Sequence, residues 1–184
     1  MARNTSGNSG ASFLTMAGNI DGKVFTRFAF FDAFVRKKGW RNPVILAAIM
    51  TAFSVICFTA GRTREQGKLL GTVLLAVGLV LPCVWFGLFF FSVKQQVKIN
   101  GLSPAKAQYF VTLFPERICV TKGEDRTEYT WEEVHMAYHV KGCIYLYVTP
   151  ARAYLMPDCN DTKAAWEIIS SCLPAEKVLA KAPV

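Results

Sequence analysis

"TEYTWEEVHMAYHVKGCIYLYV", residues 127–148, holds two histidines four apart, three glutamates and four tyrosines. Its periodicity decides between a chemical site and a structural skeleton. From Val134 to Val140 the residues alternate. Val134, Met136, Tyr138 and Val140 fall on one face, and His135, Ala137 and His139 on the other. That is period two, the pattern of a strand. Lys141-Gly142 reads as a turn, and "CIYLYV" (143–148) places Ile144, Leu146 and Val148 on one side. On a helix His135 and His139 would share a face and suit a metal. On a strand they stand roughly 13 Å apart, too far to chelate one ion. They are expected to be exposed polar positions. Glu132 and Glu133 fit a turn or a cap as well as a catalytic pair, and no third group completes either arrangement.

The surrounding sequence repeats the strand signal. "QYFVTLF" (108–114), "RICVT" (117–121), "RTEYT" (126–130) and "AYLM" (153–156) are short strand-like runs separated by turns such as "KGED". Many strands at short spacing predict an antiparallel sandwich or barrel. "NDTKAAWEIISSCL" follows. Asn160 or Asp161 would cap a helix whose Ala165, Trp166, Ile169, Cys172 and Leu173 form one apolar stripe, ended by Pro174. Residues 94–173 are thus expected to form a β domain capped by a C-terminal helix, with 174–184 as a tail.

Upstream the chain changes character. Residues 43–60 and 69–93 carry no charge over 18 and 25 residues. At about 1.5 Å per residue they reach about 27 and 37 Å, against a hydrocarbon layer of about 30 Å. A core helix of a small domain would show a polar face. The segment 42–93 therefore reads as a two-helix transmembrane hairpin, with residues 61–68 as its loop and a kink expected at Pro82. Neither span holds an ionisable residue other than cysteine, which speaks against an ion path or a proton relay. Small residues recur in both: Ala47, Ala48, Thr51, Ala52 and Ser54, then Gly71, Thr72, Ala76 and Gly78. They would serve packing within the hairpin or homo-oligomerisation.

Charge follows the same division. Residues 1–41 carry seven Lys/Arg against two acids, whereas 94–184 carry eleven against ten. A nucleic-acid binder would place its basic excess on the folded domain. Here the excess flanks the apolar runs, which points to a lipid bilayer and away from nucleic acid. Arg27, Arg36, Lys37, Lys38, Arg41, Lys94 and Lys98 lie outside the hairpin, and Arg62, Arg64 and Lys68 inside its loop. Seven against three predicts both termini in the cytoplasm of a multi-pass plasma-membrane protein. Before the first span, "VFTRF" (24–28) reads as a short strand. Phe28, Phe31, Phe34 and Val35 then form the apolar side of an interfacial helix that ends in basic residues. Residues 1–23 read as a disordered Asn/Ser/Gly-rich tail.

The six cysteines show no C-x-x-C spacing, and a cytoplasmic face keeps them reduced. No P-loop, Rossmann or G-x-S-x-G motif is present, so neither cofactor nor catalytic site is expected.

The order of these parts resembles the YcxB-like family of bacterial membrane proteins. The resemblance rests on "VFTRFAFFDAFVRKK", on two close spans, and on Tyr129-x-Trp131-x-Glu133-Val134 followed by a strand pair ending in "YLMP" at Pro157. Asp158 departs from the basic residue often found after that proline. The resemblance covers about residues 24–173. It implies a C-terminal domain similar to pleckstrin-homology-like folds, hence an α+β membrane protein, and it implies no established activity. The expected function is a membrane-anchored, non-catalytic cytoplasmic module that binds a protein or peptide partner. The alternatives are a small membrane enzyme using His135, His139 or a tyrosine, and an accessory subunit of a transport or pore assembly.

Overall fold

The computed structural model describes residues 13–60, 65–102, 106–140 and 142–180. The tail at 1–12, the loop residues 61–64 with Arg62 and Arg64, Lys141 of the expected Lys141-Gly142 turn, and the last residues, 181–184, lie outside the described residues. The chain forms two compact units. One runs up to Val24 and resumes at Leu102, and the other is Phe25–Gly101.

The first unit holds two four-stranded sheets. Strands β1 (Leu14–Ile20), β2 (Lys106–Leu113), β3 (Arg117–Lys122) and β4 (Asp125–Thr130) form one antiparallel meander in that order. The second sheet has the order β7-β6-β5-β8. It is built from β5 (Met136–Val140), β6 (Cys143–Thr149), β7 (Arg152–Pro157) and β8 (Val178–Ala180), and β8 runs parallel to β5. Helix α4 (Thr162–Cys172) completes the unit.

One core joins both sheets to α4. Met16, Val111, Leu113, Ile118 and Val120 come from the first sheet. Ala137, Ile144, Leu146, Val148, Tyr154 and Met156 come from the second, and Ala165, Ile169 and Leu173 from the helix and its end. The expected inward face of β6 is therefore the core face. Its opposite face is buried too, through Tyr145 and Tyr147. Turn chemistry fits the register. Lys122 pairs with Asp125, leaving Gly123-Glu124 as a two-residue loop, and Gly123 takes φ +61° as a first loop position of this kind requires.

Several expectations need correction. Residues 14–20, read as tail, are a strand paired with β2 from Leu14↔Leu113 to Ile20↔Lys106. Residues 24–28, read as a strand, lie in helix α1 (Gly22–Phe30). Asp21 explains this, because its Oδ1 accepts the Val24 N–H at 2.6 Å and so caps the helix start. A leading strand does close the first sheet, but it is β1, and the whole of 21–105 is inserted between β1 and β2. The third correction concerns residues 175–180, read as tail, which form a 3₁₀ turn and β8. Finally, at α4 the Asp161 side chain makes no cap bond. The Thr162 hydroxyl instead accepts the Cys159 N–H at 2.8 Å.

The second unit is helical. Helix α2 (Arg41–Ala60) and helix α3 (Glu65–Ile99) pack side by side. Both are long and apolar enough to cross a membrane, and both are hardly buried within the molecule. Helix α3 outruns its expected bounds at each end: residues 65–68 are helical rather than loop, and so are 94–99. It also continues through Pro82. Gly78 sits against Met50, where an added Cβ would stand 2.9 Å from the Met50 Cβ. Ser54, buried, donates its hydroxyl to the Gly71 carbonyl at 2.7 Å. Gly71, Gly78 and Ser54 thus serve the packing of the hairpin itself, while Ala48, Ala52, Thr72 and Ala76 remain exposed.

Helix α1 passes into a π-helical turn (Phe31–Arg36). Phe34 is buried there against α3, with ring centroids 5.8 Å from Trp85, 5.6 Å from Phe86 and 5.0 Å from Phe89. The expected amphipathic segment is therefore helical, and part of its apolar side packs on the hairpin.

Candidate functional site

The histidines of the opening stretch are not brought together. His135 precedes β5 and is exposed, and its N–H donates to the Tyr147 carbonyl at 2.8 Å. His139 lies within β5, opposite Ile144 on one side and Ala180 on the other. Its ring rests on Trp166, centroids 5.0 Å apart, so it is half-buried rather than a free polar position. Among the described residues no three His, Cys, Asp or Glu side chains cluster as metal ligands do.

The signature residues form a structural latch. Trp131 is 7% exposed, and its Nε1–H donates to the Phe114 carbonyl at 3.0 Å. Glu133 is exposed, and its Oε2 accepts the Thr130 N–H at 2.8 Å, closing the turn that carries the tryptophan. Val134 is fully buried. The Tyr129 hydroxyl meets that of Tyr154 at 3.0 Å, and Arg152 lies over the Tyr154 ring. Pro157 ends β7 opposite Cys143. Burial, together with the nearby Asp158 charge, pushes the Cys143 thiol up to about 12.

The basic residues near the helix ends differ among themselves. Arg36 is bound to Asp32, Nε to Oδ1 at 2.6 Å, and Lys37 reaches the other carboxylate oxygen at 2.7 Å. Lys38, Arg41, Lys94 and Lys98 are exposed. Lys38 takes φ +51°, a left-handed position where the turn ends and α2 begins, with the Gly39 N–H on the Ala33 carbonyl at 2.8 Å.

The most specific surface feature is the set of sheet edges, because unpaired strand edges attract other chains. The β7 edge is closed. β1 runs beside it, and the Tyr109 hydroxyl accepts the Leu155 N–H at 2.6 Å and donates to the Leu155 carbonyl at 3.1 Å. The β4 edge is polar and charged, with Arg126 on Glu128 at 2.6 Å and Arg117 on the same carboxylate at 3.5 Å. The β5 edge differs, since it holds β8 in parallel register: Ala137↔Val178, Tyr138↔Leu179 and His139↔Ala180. Lys177, one residue earlier, donates its Nζ to the carbonyls of Glu132 at 3.2 Å and Val134 at 2.9 Å. Reading the sequence missed this site, because a three-residue strand leaves no periodic signal.

Compared with protein-family models, with curated proteins and with solved structures, the chain finds no match in any of the three.

Proposed function

We propose that this protein is a membrane-anchored interaction module, non-catalytic, with a pleckstrin-homology-like domain on the cytoplasmic side that binds a protein partner. The observation that carries the reading is the insertion. The two apolar helices stand where a β1–β2 loop would be, so the sheet domain is joined to them by two adjacent strand ends, Ile20 and Lys106. A meander of four strands, a second sheet and a closing C-terminal helix support the pleckstrin-like assignment. The proposed YcxB-like membership rests on the sequence signature at Tyr129, Trp131, Glu133 and Val134 and on the two close apolar runs. Exposed Lys38, Arg41, Lys94 and Lys98 suit an anionic leaflet, at about 1 kcal/mol each near the surface.

The test is photo-crosslinking in native membranes from probes on the sheet domain, followed by purification. A discrete protein recovered with the full chain, and lost when the probes sit on the lipid-facing side of α2, is the expected result. Lipid adducts alone would overturn the protein-partner reading.

A further inference from the structure

We infer that the β5 edge is a strand-addition site, and that β8 is a displaceable plug occupying it from within the same chain. The natural occupant is an extended segment of a partner protein, added parallel to β5, with a Lys or Arg followed by two apolar residues and a small one. This deepens the module reading above and rests on it.

The plug itself supplies the specification. Lys177 satisfies two backbone carbonyls of the 131–134 turn, so a cation at that place is recognised. Val178 packs against the common core, Leu179 is half-buried and Ala180 is exposed, so the edge takes apolar side chains first and a small one at the open end. Its length and its pairing make β8 weakly held. It has three residues, whereas β6 has seven and buries six of them. Parallel pairing is slightly weaker per residue than antiparallel. Leu173 and Pro174, which lead from α4 towards the plug, are extended (ψ 145° and 143°), and a single 3₁₀ turn, Ala175–Lys177, joins them to β8. A partner strand would make the same backbone bonds, and β-addition draws its affinity from those bonds and its specificity from alternate side chains. The β7 and β4 edges do not compete for such a partner. Tyr109 seals Leu155 on β7, and β4 carries charged side chains.

The probe is a fluorescein-labelled peptide of residues 174–182. It is titrated into the full chain in lipid nanodiscs and into a chain ending at Leu173. Saturable binding to the shortened chain is expected, with affinity for the full chain lower by about tenfold or more, because the tethered plug competes at high effective concentration. A peptide carrying Lys177→Ala should bind about tenfold more weakly. No saturable binding to a shortened chain that keeps its near-ultraviolet dichroism overturns the proposal. Should the shortened chain lose that signal, hydrogen exchange on the full chain decides. Amides of 178–180 exchanging by local opening, well ahead of those of β6, support a plug, and exchange only with global unfolding refutes one. A His139→Cys/Ala180→Cys disulfide separates this proposal from the module reading. If the partner crosslinks equally to the locked chain, the module stands and the edge falls. If no partner crosslinks to either chain while the peptide binds, the module reading falls and the strand-addition site stands.

Discussion

The hydroxyl of Tyr109 holds both backbone polar groups of Leu155, 46 residues away, accepting its N–H at 2.6 Å and donating to its carbonyl at 3.1 Å. One phenol thereby does for the β7 edge what a neighbouring strand would do. Tyr109→Phe keeps the ring and leaves both Leu155 groups without this partner. The cost should be about 1–3 kcal/mol, read from denaturant melts of the full chain in micelles. A change within a few tenths would show that water takes over both bonds.

The same region sets an alkaline limit. Burial raises the Tyr109 phenol above its ordinary range, and the Cys143 thiol is raised to about 12. Both groups are neutral in the fold, and both ionise more readily in the unfolded chain. Their stabilisation is therefore complete below the unfolded values, about 8.5 for cysteine and 10 for tyrosine, and is lost as pH rises towards the folded ones. Stability should be level between pH 7 and 8 and fall above about pH 9, by up to 1.4 kcal/mol per pH unit for each proton released. Tyr109→Phe should flatten the part of that fall above pH 10. An equal slope in the variant would remove Tyr109 from the explanation.

Gly18 makes the Tyr109 bridge possible. A Cβ added to it would lie 2.7 and 2.8 Å from the Cδ2 and Cζ carbons of the Tyr109 ring. Gly18→Ala should displace the ring and cost about 1–3 kcal/mol, as overpacking does. The double variant with Tyr109→Phe should cost less than the sum, since both changes act on one contact. Strict additivity in a double-mutant cycle would count against the coupling.

These positions show what the sequence displays and what it hides. Strands β2 to β7 were legible because alternation and glycine turns mark them locally. β1 was hidden, because Gly18 and Asn19 are poor strand formers and its reason to exist is the Tyr109 crossing from β2. Val24–Phe28 has the composition of a strand, yet Asp21 starts a helix three residues earlier, and capping outweighs composition there. His135 and His139 were legible as unsuited to a shared metal, because strand spacing separates them. The stacking of His139 on Trp166 and the pairing of β5 with β8 join residues some 27 to 41 positions apart, and no local pattern announces such contacts.

Trp131 should be the costliest single truncation in the sheet unit. It is 7% exposed, lies in the common core and donates to the Phe114 carbonyl. Trp131→Ala should lose about 3–5 kcal/mol. Trp131→Phe keeps much of the volume and should lose about 1–2 kcal/mol, the share of the hydrogen bond and the reduced ring. Melting curves in which the two variants coincide would mean that the bond, rather than the packing, dominates.

In the helical unit Gly78 and Ser54 should differ in kind. Gly78→Leu forces the backbones apart, because the added Cβ meets the Met50 Cβ at 2.9 Å. Ser54→Ala removes a single interhelical bond, and such bonds average about 0.6 kcal/mol in membrane helices. Disulfide trapping between cysteines placed on facing positions of α2 and α3 would measure this. Efficiency should collapse for Gly78→Leu and change little for Ser54→Ala. The reverse order would place the determinant of hairpin packing in the polar bond.

The orientation follows from where the cations stand. Arg27 lies in α1, Arg36, Lys37 and Lys38 in and just after the π-helical turn, Arg41 at the start of α2, and Lys94 and Lys98 near the end of α3, against Lys68 in the first turn of α3 and, in the sequence between α2 and α3, Arg62 and Arg64. Arg36 and Lys37 share Asp32, but acidic residues contribute little to the orienting bias, so the count holds at seven to three. Cytoplasmic termini are the expected outcome. A membrane-impermeant maleimide applied to intact cells should label an Arg64→Cys chain and spare an Asp125→Cys chain until the cells are opened, each compared with the parent. Asp125 is exposed beside the β3–β4 turn, so its protection could come only from the membrane. Labelling of residue 125 but not 64 in intact cells would invert the topology, and with it the compartment in which a β5 partner must be sought.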